Sequence, residues 1–242
     1  MLSSKLVVIT GANRGIGKKI VETLLEHSQK PKVLLTARNE ELGMEAFNEL
    51  AKKYSEEKDR LYFHQLDITS NESTDKFVSW LSENFKTFDV LVNNAGTNDR
   101  QDWDENWIMP NDTKKIIIDT NFYSTVSFTE KMFPYLSSDG KIIMISSNLA
   151  KLEFQGEPVR KFLQNSEMTL EDLLKEMKDF EEKAYKNEHI KAGYSKQIYH
   201  VTKAFLNAYT RWILPKKLKE GQTAFNVHPG WIKTRLGGYD AA

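Results

Sequence analysis

The sequence predicts an α/β fold, a single doubly wound parallel sheet with helices on both faces. Two observations carry this expectation. Short apolar runs alternate with helical segments of roughly 10–15 residues, the rhythm of βαβ units with right-handed crossovers. Polar residues also gather where those runs end, at the edge where open α/β sheets bind their ligands. The chain of 242 residues is 40% apolar and 28% charged, enough to bury one sizeable core. It shows no repeat, no low-complexity stretch and no linker, so residues 1–242 read as a single domain.

The elements follow in order. The run Lys5–Ile9 is a first strand, and Ile20, Val21, Leu24 and Leu25 recur at helical spacing after it. Lys32–Ala37 is a second strand, followed by a helix with Leu42, Ala46, Phe47 and Leu50 on one face. Leu61–Leu66 is a third strand, closed by Asp67, and a helix is expected from about Asn71 to Phe85. Phe88–Val92 is a fourth strand, running into Asn93-Asn94-Ala95-Gly96. A polar connection with Trp103 and Trp107, read as packing residues or cleft lining, leads to a helix holding Ile116–Ile118 and Asn121. Lys141–Ile145 is a fifth strand ending in Ser146-Ser147, and Thr223–Val227 a sixth ending in His228-Pro229-Gly230.

Between the fifth strand and Tyr199 stands a helical insertion at about 151–191. Leu170, Leu173, Leu174, Met177 and Phe180 recur at helical spacing, and Thr169-x-x-Asp172 reads as a capping box. This apolar stripe is expected to pack beside the helix of Tyr199. The alternative is a recognition helix for another protein.

Chemistry begins at Thr10-Gly11-Ala12-Asn13-Arg14-Gly15-Ile16-Gly17. A strand, a glycine-rich turn and a helix in that order form a phosphate site. Glycine lets the backbone approach an anion, and free N–H groups at the helix start face it. Alone the loop is weak evidence, because a tight strand-to-helix turn has the same composition and the spacing differs from the usual dinucleotide fingerprint. Tyr199 and Lys203, at i and i+4, share one helix face. An ammonium there is expected to lower the phenol pKa, so that the phenol exchanges a proton with a carbonyl or alcohol oxygen near neutral pH.

Taken together, Thr-Gly-x3-Gly-x-Gly, Asn-Asn-Ala-Gly, a helix asparagine, Ser-Ser, Tyr-x3-Lys and Pro-Gly resemble the short-chain dehydrogenase/reductase family, over nearly the whole chain. Thr36-Ala37-Arg38, Phe63–Ile68, Pro229-Gly230-Trp231 and the segment before Tyr199 resemble its monomeric NADPH-dependent carbonyl reductases. The resemblance implies a Rossmann-type domain that reduces a ketone, aldehyde or quinone with NADPH. Tyr199 would protonate the carbonyl oxygen, Lys203 would lower its pKa and hold the nicotinamide ribose, and Ser147 would hydrogen-bond the same oxygen. Asn121 would position a water in a proton relay. Ser147 is chosen over Ser146 because it lies three before the family's usual glycine, here Ala150.

The implied cofactor contacts are Gly11, Asn13, Arg14, Gly15, Ile16 and Gly17 in the turn, then Arg38, Asp67 and Ile68. Asn94, Ala95, Gly96, Tyr199, Lys203, Pro229, Gly230 and Trp231 complete them. Ser147, Tyr199 and Trp231 would meet substrate, Trp231 as an aromatic wall. The second strand ends without the carboxylate that accepts the adenosine ribose 2′-OH, and Arg38 and Arg14 suit its phosphate instead, so NADPH is expected over NADH.

Ala150 in place of glycine, and Phe-Tyr-Ser after Asn121, depart from the family pattern. Its C-terminal end is expected to be short of a substrate-covering segment and a seventh strand. Alternative readings are a hydroxysteroid or other alcohol dehydrogenase of the family, and a non-catalytic dinucleotide-binding regulator. A net formal charge of zero draws the chain to neither nucleic acid nor membrane, and absence of cysteine excludes disulfides and thiolate chemistry. His27, His64, His189, His200 and His228 form no metal-ligand spacing, and Lys216, Lys217 and Lys219 read as a solvated face. The apolar stretch at the N-terminus is too short for a signal peptide, so a cytoplasmic protein is expected, and the resemblance implies a monomer, because the insertion at 151–191 would cover the face that often forms a subunit contact in family members lacking it.

Overall fold

The computed structural model describes residues 5–99, 101 and 107–234. The first half alternates β1 (Leu6–Ile9), α1 (Gly15–Glu26), β2 (Lys32–Ala37), α2 (Glu40–Lys53), β3 (Leu61–Gln65), α3 (Asn71–Asn84) and β4 (Phe88–Asn93). Then come α4 (Asn111–Ile118), α5 (Ser124–Met132), β5 (Leu136–Ile145), α6 (Glu157–Leu163), α7 (Leu170–Tyr185), α8 (Ile198–Ala208) and β6 (Thr223–Val227). The strands form one six-stranded sheet in the order β3-β2-β1-β4-β5-β6, parallel throughout. The order reverses between β1 and β4, which opens a crevice at their carboxyl ends.

Side-chain alternation along each strand divides the core into two layers. Leu6, Val8, Leu34, Leu91, Ile142 and Met144 face one side, under α3, α4, α5, α7 and α8. Val7, Ile9, Val33, Leu35 and Val92 face the other, under α1 and α2. Helix starts follow local chemistry. Asn39 caps α2, Ser70 caps α3, and Thr169 with Asp172 closes the capping box of α7.

Two helices, not one, occupy the insertion. The chain leaves through Gly156 and returns through Gly193, whose carbonyl accepts from Gly156 N at 2.6 Å. A Cβ on Gly156 would stand 2.9 Å from the Gly193 backbone, and Gly193 has φ +94°. The neck therefore closes only between glycines. The expected stripe on α7 is buried, with Leu173, Met177 and Phe180 fully covered. It packs on α4 and α8, which takes away the surface a recognition helix needs. The buried Lys114 ammonium of α4 donates to Ala184 O at 2.8 Å and Asn187 Oδ1 at 2.7 Å, satisfying the end of α7.

The sequence missed α6, whose seven residues are too few for a visible period. Lys216 and Lys217 are not simply solvated: Lys216 donates to Met168 O at 3.2 Å, and Lys217 pairs with Glu130. Trp107 is half-buried against the larger core layer, whereas Trp103 lies outside the described residues. No helix among the described residues is long and apolar enough to cross a membrane.

Candidate active site

The glycine-rich turn is held from beneath by β4. Thr10 Oγ1 accepts the N–H groups of Asn94 at 3.0 Å and Ala95 at 2.9 Å. Asn94 Nδ2 returns to Thr10 O at 2.8 Å and Gly11 O at 3.0 Å. The Asn94 amide, expected as a cofactor contact, is thus committed to the turn itself. Its neighbour Asn93 is buried, donating to Thr129 Oγ1 at 2.9 Å.

Gly17 is required by space. A Cβ there would lie 2.5 Å from Asn94 Nδ2 and 2.8 Å from Gly11 O. Arg14 occupies the N-cap of α1 without a side-chain cap, and the first turn has no acidic residue. Uncapped N–H groups beside a close-packed glycine loop are the donor set an anion such as a pyrophosphate fits. Asn13 and Ile16 are half-buried, and Gly15, with φ +56°, is exposed.

Ala12 N donates to Thr36 O at 2.8 Å, which ties the turn to the end of β2. Arg38 is exposed one residue beyond β2. Ala37 is wholly buried, and a Cβ on Gly43 of α2 would stand 2.9 Å from its Cβ. Asp67 Oδ1 accepts from Thr69 N at 2.9 Å, shaping the turn after β3, and Ile68 packs against the larger core layer.

Across the crevice, β5 ends at the two serines. Ser146 is buried and donates to Asn207 Oδ1 at 2.6 Å. Ser147 N-caps a short 3₁₀ turn, accepting Leu149 N at 3.1 Å, and its hydroxyl is the neighbour that favours the charged form of the Tyr199 phenol. Lys203 lies one turn along α8, 4% exposed, donating to Ile145 O at 2.8 Å, with Nζ 5.8 Å from the Tyr199 ring centroid.

Asn121 lies in a π-helical segment, Asp119–Tyr123, between α4 and α5. Such bulges recur at functional sites. This one carries the buried Asn121 amide to Thr97: Oδ1 accepts Thr97 N at 2.8 Å and Nδ2 donates to Thr97 O at 2.8 Å. A Cβ on Gly96 would stand 3.3 Å from Asn121 Oδ1 and 3.7 Å from Lys203 Nζ, so glycine keeps that gap open. The observed work of the Asn121 side chain is to clamp this loop beside the lysine.

The electrostatics differ from the expectation in one respect. Burial raises the Tyr199 phenol above its ordinary value, opposed by the Ser147 hydroxyl, whereas Lys203 was expected to lower it. Burial also draws Lys203 itself down to about 8. Its ammonium is spent on a carbonyl, and desolvation governs both groups.

Pro229, Gly230 and Trp231 follow β6, with Gly230 at φ +85° and Trp231 63% exposed. Sequence reasoning assigned no role to Thr10, Thr97 or Asn207. Thr10 was visible as the start of the Thr-Gly turn, but the other two carry no local signal.

A model of the short chain dehydrogenases matches residues 5–159. The chain is 32% identical over 241 residues to carbonyl reductase (NADPH) 3 of Mus musculus, covering 96% of this chain and 83% of the relative. It is 31% identical over 255 residues to (+)-neomenthol dehydrogenase of Arabidopsis thaliana, covering 96% and 84%. Salutaridine reductase from Papaver somniferum superposes with a TM-score of 0.84 at 25% identity, over 96% of this chain and 88% of that one.

Proposed function

The chain belongs to the short-chain dehydrogenase family, and from that premise we propose that it transfers a hydride from NADPH to the carbonyl carbon of a ketone, aldehyde or quinone. The observation that carries the reading is the convergence of Ser147, Tyr199 and Lys203 at the carboxyl end of β5, across the crevice from the glycine-rich turn. The names of the mammalian relative and of the plant dehydrogenase support the same reaction class.

When bound, the reduced nicotinamide supplies the hydride. The chain's own residues do the rest. Tyr199, kept protonated by burial, gives its proton to the carbonyl oxygen as the alcohol forms. Ser147 donates to that oxygen and stabilises its developing negative charge. Lys203 holds the nicotinamide ribose hydroxyls and lends positive charge as the tyrosine loses its proton. Asn121 positions this side of the site through Thr97.

Gly11, Asn13, Arg14, Gly15, Ile16 and Gly17 cradle the pyrophosphate, and Arg38 meets the 2′-phosphate. Asp67 and Ile68 border the adenine. Ala95 and Gly96 line the cofactor path, with Asn94 holding the turn, and Pro229, Gly230 and Trp231 close the nicotinamide end. Trp231 faces apolar substrates. Residues 1–242 act as a single catalytic domain, a cytoplasmic monomer whose insertion covers one face of α8. A stable tetramer by light scattering at micromolar concentration would remove the monomer assignment.

The test is NADPH oxidation against a panel of carbonyl compounds, with Tyr199→Phe alongside. The variant should lower turnover by roughly 10²–10⁴-fold while NADPH affinity stays near normal. Near-normal turnover overturns the mechanism, and no turnover by the wild type favours a dinucleotide-binding regulator.

A further inference from the structure

Helix α8 and the π-helical turn that continues it, Tyr209–Ile213, present a second face beside the one that carries Tyr199 and Lys203. Ala204, Asn207, Ala208 and Arg211 follow at i, i+3, i+4 and i+7. At roughly 100° per residue, this stripe lies about a third of a turn from the tyrosine and lysine. A cavity of about 450 Å³ opens there, within the usual size of small-molecule sites. Its aliphatic floor includes Leu152, Leu163 and Ala208, and its polar groups are Lys151, Gln164, Asn207 and Arg211, with Trp212 as a wall. Leu163 and Gln164 end α6, so the cavity exists because the insertion packs on α8.

The charge in this lining has one sign. Lys151 and Arg211 are both cationic, and among the described residues no carboxylate lines the cavity. Lys151 pairs with Glu153 at 3.1 Å, but both side chains are more than half exposed, so the pair holds the ammonium weakly. The Arg211 guanidinium lies 4.6 Å from the Trp212 ring centre. The indole is itself fixed, Nε1 donating to Leu163 O at 2.9 Å. A cation is thus held against an anchored aromatic wall.

We propose that this cavity is a second binding site, for a small amphipathic monoanion. An aromatic or alicyclic body would lie on the aliphatic floor and Trp212, and a carboxylate or sulfonate would meet Arg211 and Lys151. The site adjoins the catalytic loop by two bonds. Asn207 accepts from Ser146, and Ala150 N donates to Ser147 O at 3.1 Å. It uses none of the groups proposed for catalysis or for NADPH.

The experiment is a fluorescence titration with anilinonaphthalene sulfonate, an aromatic monoanion, in the presence of saturating NADP to fill the cofactor crevice. One saturable site is expected. Arg211→Gln should weaken it by about tenfold or more, the usual effect of losing one charged hydrogen-bond partner, and Lys151→Gln should weaken it further. Both residues are exposed, so the melting temperature should not move. Neutral phenylnaphthylamine should bind less tightly and ignore both substitutions. Absence of saturable binding, or an unchanged Kd in the double variant, overturns the proposal. NADPH affinity and turnover of these variants report separately on the reductase reading.

Discussion

The 2.6 Å hydrogen bond from Ser146 Oγ to Asn207 Oδ1 separates the roles of two adjacent serines. It commits Ser146 to α8, while the Ser147 hydroxyl is the one that acts on the Tyr199 phenol. Ser147→Ala should lower kcat by roughly 10²–10³-fold, the effect of removing one donor from a developing oxyanion. Ser146→Ala should act on stability, costing about 1–3 kcal/mol by leaving the Asn207 amide unpaired. Steady-state kinetics and thermal melts of both variants decide this, and equal kinetic losses would contradict it.

The burial of Lys203 has a consequence for stability against pH. Its folded pKa of about 8 lies below the ordinary 10.5. Between these values the unfolded chain holds the proton and the folded protein does not, so stability rises with pH across that window. Below about pH 8 both states are protonated and the penalty of burying the charge is constant. The stability of the wild type relative to Lys203→Met should therefore increase from about pH 8 to 10. Comparing the two proteins removes the tyrosines, which titrate in the opposite sense. Urea unfolding at several pH values measures it, and a flat difference would show that Lys203 is not depressed.

Arg38 stands exposed beside the glycine-rich turn, which Ala12 N ties to Thr36 O. Arg38→Ser should reduce the preference for NADPH over NADH by roughly 10–150-fold, the worth of one charged hydrogen bond, less where water screens it. The buried Ala37 leaves no room for an added carboxylate against α2, so Ala37→Asp should cost stability before it changes cofactor choice. The kcat/KM ratio for the two cofactors at fixed salt is the readout. A wild type that prefers NADH sinks the assignment.

At the neck of the insertion, Gly156→Ala would drive a Cβ into the Gly193 backbone. We expect a loss of about 1–3 kcal/mol and a fall in Tm of several degrees. Calorimetry giving an unchanged Tm would mean that the two glycines do not need to touch.

Trp231 is exposed just beyond β6, next to Pro229 and Gly230. Trp231→Ala should raise KM for aromatic ketones more than for small aliphatic ones, because only the former lose a stacking partner. An equal rise for both classes would assign the tryptophan a structural part.

By itself the sequence determined the strands, their parallel order of use and the glycine-rich turn. Each of these is written in contiguous residues: β2 runs Lys32–Ala37 as read, the α7 capping box is Thr169 and Asp172, and Gly17 sits where a side chain has no room. Tertiary structure decided the rest. That Ser146 is tied down by Asn207 depends on a residue far along the chain, and the clamp on Asn121 depends on Thr97 in the loop after β4. The direction of the Tyr199 shift also lay outside local spacing. The i, i+4 distance to Lys203 suggested a charge effect, but desolvation is set by every element packed around the pair, and it prevails. Period and composition are local properties of a chain, whereas burial and partner choice exist only once distant segments have met.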